Sequence, residues 1–267
     1  MAKVFSPSRE DYANRSEPYK KMIEEALARE KNLIALAEKD TAGVGYKKLL
    51  LCEEMIGVAS YYITINNLSV EFVRTKNNDA LNDARKTIYK AIIYLEDIVT
   101  NGVDVSTSDL ESKWELIANT PVEKKYYLIR KLGLVIRLLI DAFGDNTKWR
   151  WSFVELQGRF AAVTKNLLDL KKATKDYFDP NSIDYDNTVL YIRLIRKLLD
   201  NSASAYRDRY ELSTHRIDDM RMAINFLAAA RRVAILIGSP EDGEEIKKKA
   251  VVWNEKLKND QKKGIAK

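Results

Sequence analysis

Histidine and cysteine each occur once in this chain of 267 residues, as His215 and Cys52. That scarcity removes whole classes of chemistry. A di-iron centre in a helical bundle takes a Glu-x-x-His pair from each of two helices, and a zinc site needs three or four protein ligands. One histidine and one cysteine supply neither. An internal disulfide is excluded as well, so stability does not depend on an oxidising compartment. A nucleophilic pair of Cys52 and His215 is set aside because Cys52 lies on an apolar helical series, where small buried cysteines are common.

Glycine and proline are also scarce, with 10 and 5 residues. Most of them fall where a helix would begin or end, which points to an all-α chain. The one glycine-rich stretch, "AGVG" at 42–45, precedes a helix with no strand before it, so it is not a dinucleotide fingerprint. Long apolar runs are missing too. The nearest, "MIGVASYYITINNLSV" at 55–70, falls short of the roughly 20 apolar residues of a bilayer helix and carries Asn66 and Asn67, so a buried helix and no membrane span are expected. The opening "MAKVFSPSREDYANRSEPYKK" has no apolar run after its early lysine, so it reads as neither signal peptide nor anchor. A cytoplasmic location is the expectation.

What the chain does have is apolar residues at three-and-four spacing. Leu49, Cys52, Ile56, Ala59, Ile63, Asn66, Val70 and Val73 form one series, and Leu51, Met55, Val58, Tyr62, Ile65, Ser69 and Phe72 run beside it. Two stripes on one helix imply more than one packing neighbour. Leu81, Ala84, Ile88, Ala91, Leu95 and Ile98 continue the pattern, as do Ile129, Leu132, Ile136, Leu139 and Phe143. Helices are expected near 17–39, 44–75, 78–100, 107–118, 121–143, 147–178, 185–212, 215–237 and 240–262. The expected fold is therefore all-α, with eight or nine mostly long helices in antiparallel hairpins forming an elongated bundle. Residues 1–16 read as an N-terminal extension and 17–267 as the helical domain; if the chain divides, 101–107 is the boundary. Ser108 with Glu111 has the spacing of a capping box, Thr120 and Pro121 open another helix, and Ser239 with Pro240 a third. Asn66 sits on the apolar series, where the favoured reading is an amide paired within the core and the alternative is a device that fixes register.

The formal charge of +6 is uneven: residues 1–120 hold 16 Lys and Arg against 19 Asp and Glu, and residues 121–267 hold 29 against 20. The halves carry −3 and +9, so an acidic partner for the second half is one expectation. Its basic clusters are Lys124, Lys125, Arg130, Lys131 and Arg137; Arg193, Arg196, Lys197 and Arg207; Arg231 and Arg232; and Lys247, Lys248 and Lys249. On the helix near 185–212 the stripe opposite the apolar face is interrupted by Asp200, and such a face is usually solvated. Arg231 falls on the inward series Ile217, Met220, Ile224, Leu227, where it needs an acid from another helix or a groove. The last helix has a narrow stripe of Ile246, Ala250, Trp253 and Leu257. Docking onto the bundle is its favoured role, with presentation of Trp253 to a partner as the alternative.

"NTKWRWSFVELQGRF" at 146–160 interleaves tryptophan with arginine, a pattern on which single-stranded nucleic acid can stack. Trp149, however, begins the series Phe153, Leu156, Phe160, Val163, Leu167, Leu170 and so belongs to a core seam. Arg150 flanks that seam and Trp151 lies on the far side with Gly158, Lys165 and Lys172, leaving those two as candidate contacts. The acid pairs Asp141 with Asp145 and Asp218 with Asp219 are weak metal-site candidates, the first because it crosses a helix end and the second because first-turn acids favour the helix dipole without any ligand. No cofactor is expected. The first functional reading is a non-catalytic helical scaffold or adaptor acting through protein contacts or self-association. Nucleic-acid binding by the basic half is the alternative, and a helical enzyme with a carboxylate-metal site is a second one. The candidate contacts are Arg150, Trp151, Arg193, Arg196, Lys197, Arg207, Arg231, Arg232, Lys247, Lys248, Lys249 and Trp253.

Overall fold

The computed structural model describes residues 9–40, 42–144 and 149–266. Among these are ten α-helices and no strand: α1 (Arg9–Lys39), α2 (Val44–Val73), α3 (Asn78–Val99), α4 (Thr107–Glu115), α5 (Val122–Phe143), α6 (Arg150–Leu167), α7 (Leu170–Phe178), α8 (Tyr185–Arg209), α9 (Ile217–Leu236) and α10 (Pro240–Lys262). The protein is all-α, as the spacing of its apolar residues requires. No described helix is long and apolar enough to cross a membrane.

Two compact units divide the chain, Met1–Ile98 with Leu128–Thr147 and Val99–Tyr127 with Lys148–Lys267. The first comprises α1, α2, α3 and most of α5. Arg29 on α1 grips Glu54 on α2 with two hydrogen bonds of 3.1 and 3.0 Å, and the Arg15 guanidinium lies over the Phe72 ring, so α1 and α2 run antiparallel. Lys48 meets Asp97 at 2.9 Å, which sets α3 antiparallel to α2, and Lys131 meets Glu53 at 2.6 Å, which ties α5 to α2. The interior holds Met55, Val58, Leu81, Ile88, Leu95, Ile129 and Leu139, all fully buried. Asn66 is paired within this core: its side-chain oxygen accepts from the Asn77 N–H at 3.0 Å, and its amide donates to Asn67 at 3.3 Å.

Helix α1 starts eight residues ahead of the expected boundary, so residues 9–16 are helical rather than part of an extension. Pro18 lies inside α1, where a proline removes a backbone hydrogen bond and costs about 3 kcal/mol. Packing offsets that cost: Ser16 is buried, Tyr12 accepts from the Asn77 amide, and Arg15 covers Phe72.

The second unit contains α4, the first turns of α5, and α6 to α10. Here the expected helix over 147–178 is two helices. Leu168 is extended, and the Asp169 carboxylate accepts from the N–H groups of Lys171 and Lys172, capping α7. A strong N-cap inside an unbroken apolar series ends one helix and starts the next without leaving the core. The capping signal ahead of α4 is displaced by two residues: Ser106, not Ser108, accepts from the Asp109 N–H. Ser239 makes no side-chain cap; Pro240 opens α10 after Gly238 turns at φ +73°. Helix α6 approaches its neighbours closely at Gly158, where an added Cβ would come within 2.6 Å of Tyr206 and 3.3 Å of Phe226, themselves stacked at 5.6 Å.

Candidate functional site

Ion pairs absorb much of the basic second half. On the face made by α8, α9 and α10, Arg196 meets Asp242 at 2.5 Å, Lys249 meets Asp200 at 3.1 Å and Arg231 meets Glu244 at 3.3 Å. Arg207 pairs with Glu211 along α8, Lys247 shares Glu244, and Arg232 is held by Asp104 at 2.7 Å. The inward-leaning Arg231 thus finds its acid on the next helix. Exposed Arg193, Lys197 and Lys248 complete this mixed-sign surface. A groove of about 540 Å³ runs through it, lined by Arg193, Arg196, Asp200, Asp242, Glu245 and apolar residues. Phosphate binding draws on cations free of competing acids; here carboxylates line the groove beside the arginines.

The two tryptophan candidates are placed differently. Trp253 is 4% exposed, with Arg207 and Lys249 over its ring at 5.2 and 5.0 Å. It fastens α10 to the bundle, which takes it out of the set of free contacts because its face is already occupied. Trp151 is half-buried beneath its own neighbour Arg150 at 4.9 Å, and its carbonyl accepts from Arg209. Its side of α6 is a packed face too, since Gly158 and Lys165 on the same stripe are buried.

The acid pairs serve structure. Asp219 is buried and accepts from Arg209 and from Thr214. Asp218 pairs loosely with Arg221, and Asp141 with Arg137 at 3.8 Å; Asp145 lies outside the described residues. No group of three metal-ligating side chains occurs among the described residues. Cys52 is fully buried, and burial pushes its thiol far up, which suits a core residue and not a nucleophile.

The chemically most unusual feature lies elsewhere in the second unit. Lys125 and Lys165 are 5% and 3% exposed, and lysines are almost never so buried unless paired. Burial holds each ammonium down to about 8, with Asp169 pulling Lys125 back up and Asp104 doing the same for Lys165. Lys165 reaches the Val105 carbonyl at 3.5 Å. The Lys125 ammonium forms no hydrogen bond or ion pair with any described residue and borders a cavity of about 380 Å³. Trp114, bonded to the Asn166 carbonyl at 2.8 Å, Thr120, Asp169, Lys171 and Lys172 also border it. Sequence reasoning placed Lys125 in a basic cluster and went no further. The signal was present: continuing Phe143, Leu139, Ile136, Leu132, Ile129 backward by four and three lands on Lys125 and then Val122.

One exposed apolar pair also stands out. Ile183, in the turn after α7, is 97% exposed, and Phe178, the last residue of α7, is 59% exposed. The turn is braced: Asp179 accepts from the Asn181 N–H at 3.0 Å, Ser182 donates to Asp176 at 2.8 Å, and Lys172 meets Asp184 at 2.9 Å. Phe178 stands edge-on to Tyr177 and against Gly238.

Residues 8–261 match the model of the TP0443 family. The chain belongs to that family. The family's description names no reaction, ligand or partner. No curated protein and no solved structure matches the chain.

Proposed function

We propose that this TP0443-family protein acts by binding another protein, as a helical adaptor rather than as a catalyst, and that it works in the cytoplasm. The observation that carries the reading is the braced turn after α7, which holds Ile183 in water beside the exposed Phe178 at the end of that helix. An isoleucine exposed this fully forgoes the roughly 1.5–3 kcal/mol that burial of such a side chain contributes, and with Phe178 exposed at the end of α7 it offers an apolar pair that a partner can bury. Held rigid, it loses little entropy on docking, the property of an interface anchor. The occupant is a protein surface with an apolar pocket, a second copy of this chain included. The interleaving of acids with the arginines of α8 and α10 ranks this reading above nucleic-acid binding.

The test uses the full chain. Mass in solution is measured by light scattering over a concentration series, and co-purifying proteins are quantified for wild type, Ile183→Asp and Val251→Asp, the last an exposed apolar residue elsewhere. The expected result is an assembly or one recurrent partner that Ile183→Asp abolishes and Val251→Asp retains, with thermal stability unchanged in both. Identical mass and identical partners for wild type and Ile183→Asp would overturn the proposal.

A further inference from the structure

The cavity beside Lys125 joins features that each favour negative charge. Lys125 lies in the first turns of α5, where the positive end of the helix dipole already sits and where a cation is the wrong sign. The residue is 5% exposed, and its ammonium carries three donors with no described acceptor. Thr120 and Val122, at the open N-terminus of α5, line the same space. Three carboxylates border the cavity: Asp169 caps α7, Glu111 accepts from Lys171, and Glu115 is exposed to solvent, so that Lys171 and Lys172 offset two of them and the Lys125 ammonium keeps its three donors unused among the described residues. The volume of about 380 Å³ falls within the ~300–1,000 Å³ of small-molecule sites.

We propose that this cavity is a binding site for a small oxyanion, a carboxylate or phosphate group on a compact molecule, with Lys125 as its principal ligand. The ammonium and the N–H groups opening α5 meet the anion from one side, as helix N-termini do in anion sites generally. Trp114 and Val122 supply apolar wall for the rest of the molecule. The site shares Lys172 with the bracing of the Ile183 turn, but neither test substitutes that residue, so either assignment can fail alone.

Inorganic phosphate and succinate, each up to about 10 mM, serve as probes in calorimetric titration and thermal melts of the full chain. The variants are Lys125→Met, which keeps length and removes charge, and Lys124→Met, an exposed neighbour. At least one anion should bind saturably to wild type and to Lys124→Met and raise their Tm. Lys125→Met should bind it about tenfold more weakly or not at all, the loss expected for a charge-assisted hydrogen bond. The stronger of the two probes identifies the head group. Should Lys125→Met fail to fold, amine labelling of wild type read by mass spectrometry replaces it, with the anion expected to protect Lys125 and spare Lys124. Absence of binding by both anions, equal binding by Lys125→Met, or labelling of Lys125 unaffected by anion would overturn the proposal.

Discussion

Single residues in this protein carry costs that show in its pH dependence. Lys125 and Lys165 titrate near 8 in the folded chain, because burial disfavours the charged form, against 10.5 when unfolded. Below pH 8 both states are protonated and the native state bears the full cost of two buried cations. As pH rises from about 8 toward 10.5 the folded chain releases protons that the unfolded chain still holds, so stability must increase over that window. The gain is at most about 3 kcal/mol per lysine. Urea unfolding between pH 7.5 and about 9.5, below the range where tyrosines ionise, should show a rising midpoint, and Lys125→Met should flatten roughly half of the rise. A midpoint independent of pH would mean that water reaches both ammonium groups. These lysines escaped sequence reasoning because a lysine is scored as surface by type, whereas its helical phase was already inward. Asn66 was readable for the converse reason: an amide on an apolar series asks for partners, and Asn77 supplies the hydrogen bond.

Helices were the most legible level. Apolar periodicity placed nine helices where ten are described and came close to the limits of most of them, because a buried face must recur every 3.6 residues whatever it packs against. Breaks set by one side chain were not legible. Asp169 caps α7 while Leu167 and Leu170 keep the apolar phase, so no periodicity argument sees the interruption. The N-terminal turns of α1 lie outside the expected helix, because the contacts of Tyr12 with Asn77 and of Arg15 with Phe72 that hold them are not visible in sequence. Close approach between helices is equally invisible until the partners are known. Gly158 is such a place: an added methyl would lie 2.6 Å from Tyr206, so Gly158→Ala must displace the stacked Tyr206–Phe226 pair. Overpacking of this kind costs about 1–3 kcal/mol, well above the gain in helix propensity of about 1 kcal/mol. Thermal melts should therefore place Gly158→Ala below wild type, and an equal or higher Tm would show that the ring pair yields freely. The candidate contacts illustrate the same limit, since charge clusters were easy to find and the acids that neutralise them, Asp242 for Arg196 and Glu244 for Arg231, come from another helix.

At the scale of the whole molecule, the first unit is discontinuous in sequence, closing only when Leu128 and the residues after it return to α2. Ile129, Leu132 and Leu139 are fully buried there, and Val135 and Ile136 nearly so. A fragment of residues 1–98 lacks that face, and each large apolar core side chain deleted costs about 2–5 kcal/mol. It should show helical circular dichroism without a cooperative unfolding transition, while residues 1–144 recover more sharpness; a cooperative melt for 1–98 alone would contradict the assignment of α5 to this core.

That discontinuity has a consequence for the order of events during synthesis. On the ribosome, α1 to α3 emerge first but wait for about 45 further residues, the span from Val99 to Phe143, before their missing wall exists. At about 5–20 residues per second the delay is on the order of several seconds, long against the formation of any single helix. Through that interval the faces of Met55, Ile88 and Leu95 stand open to water, so the nascent chain has a programmed period of vulnerability that the finished protein never shows.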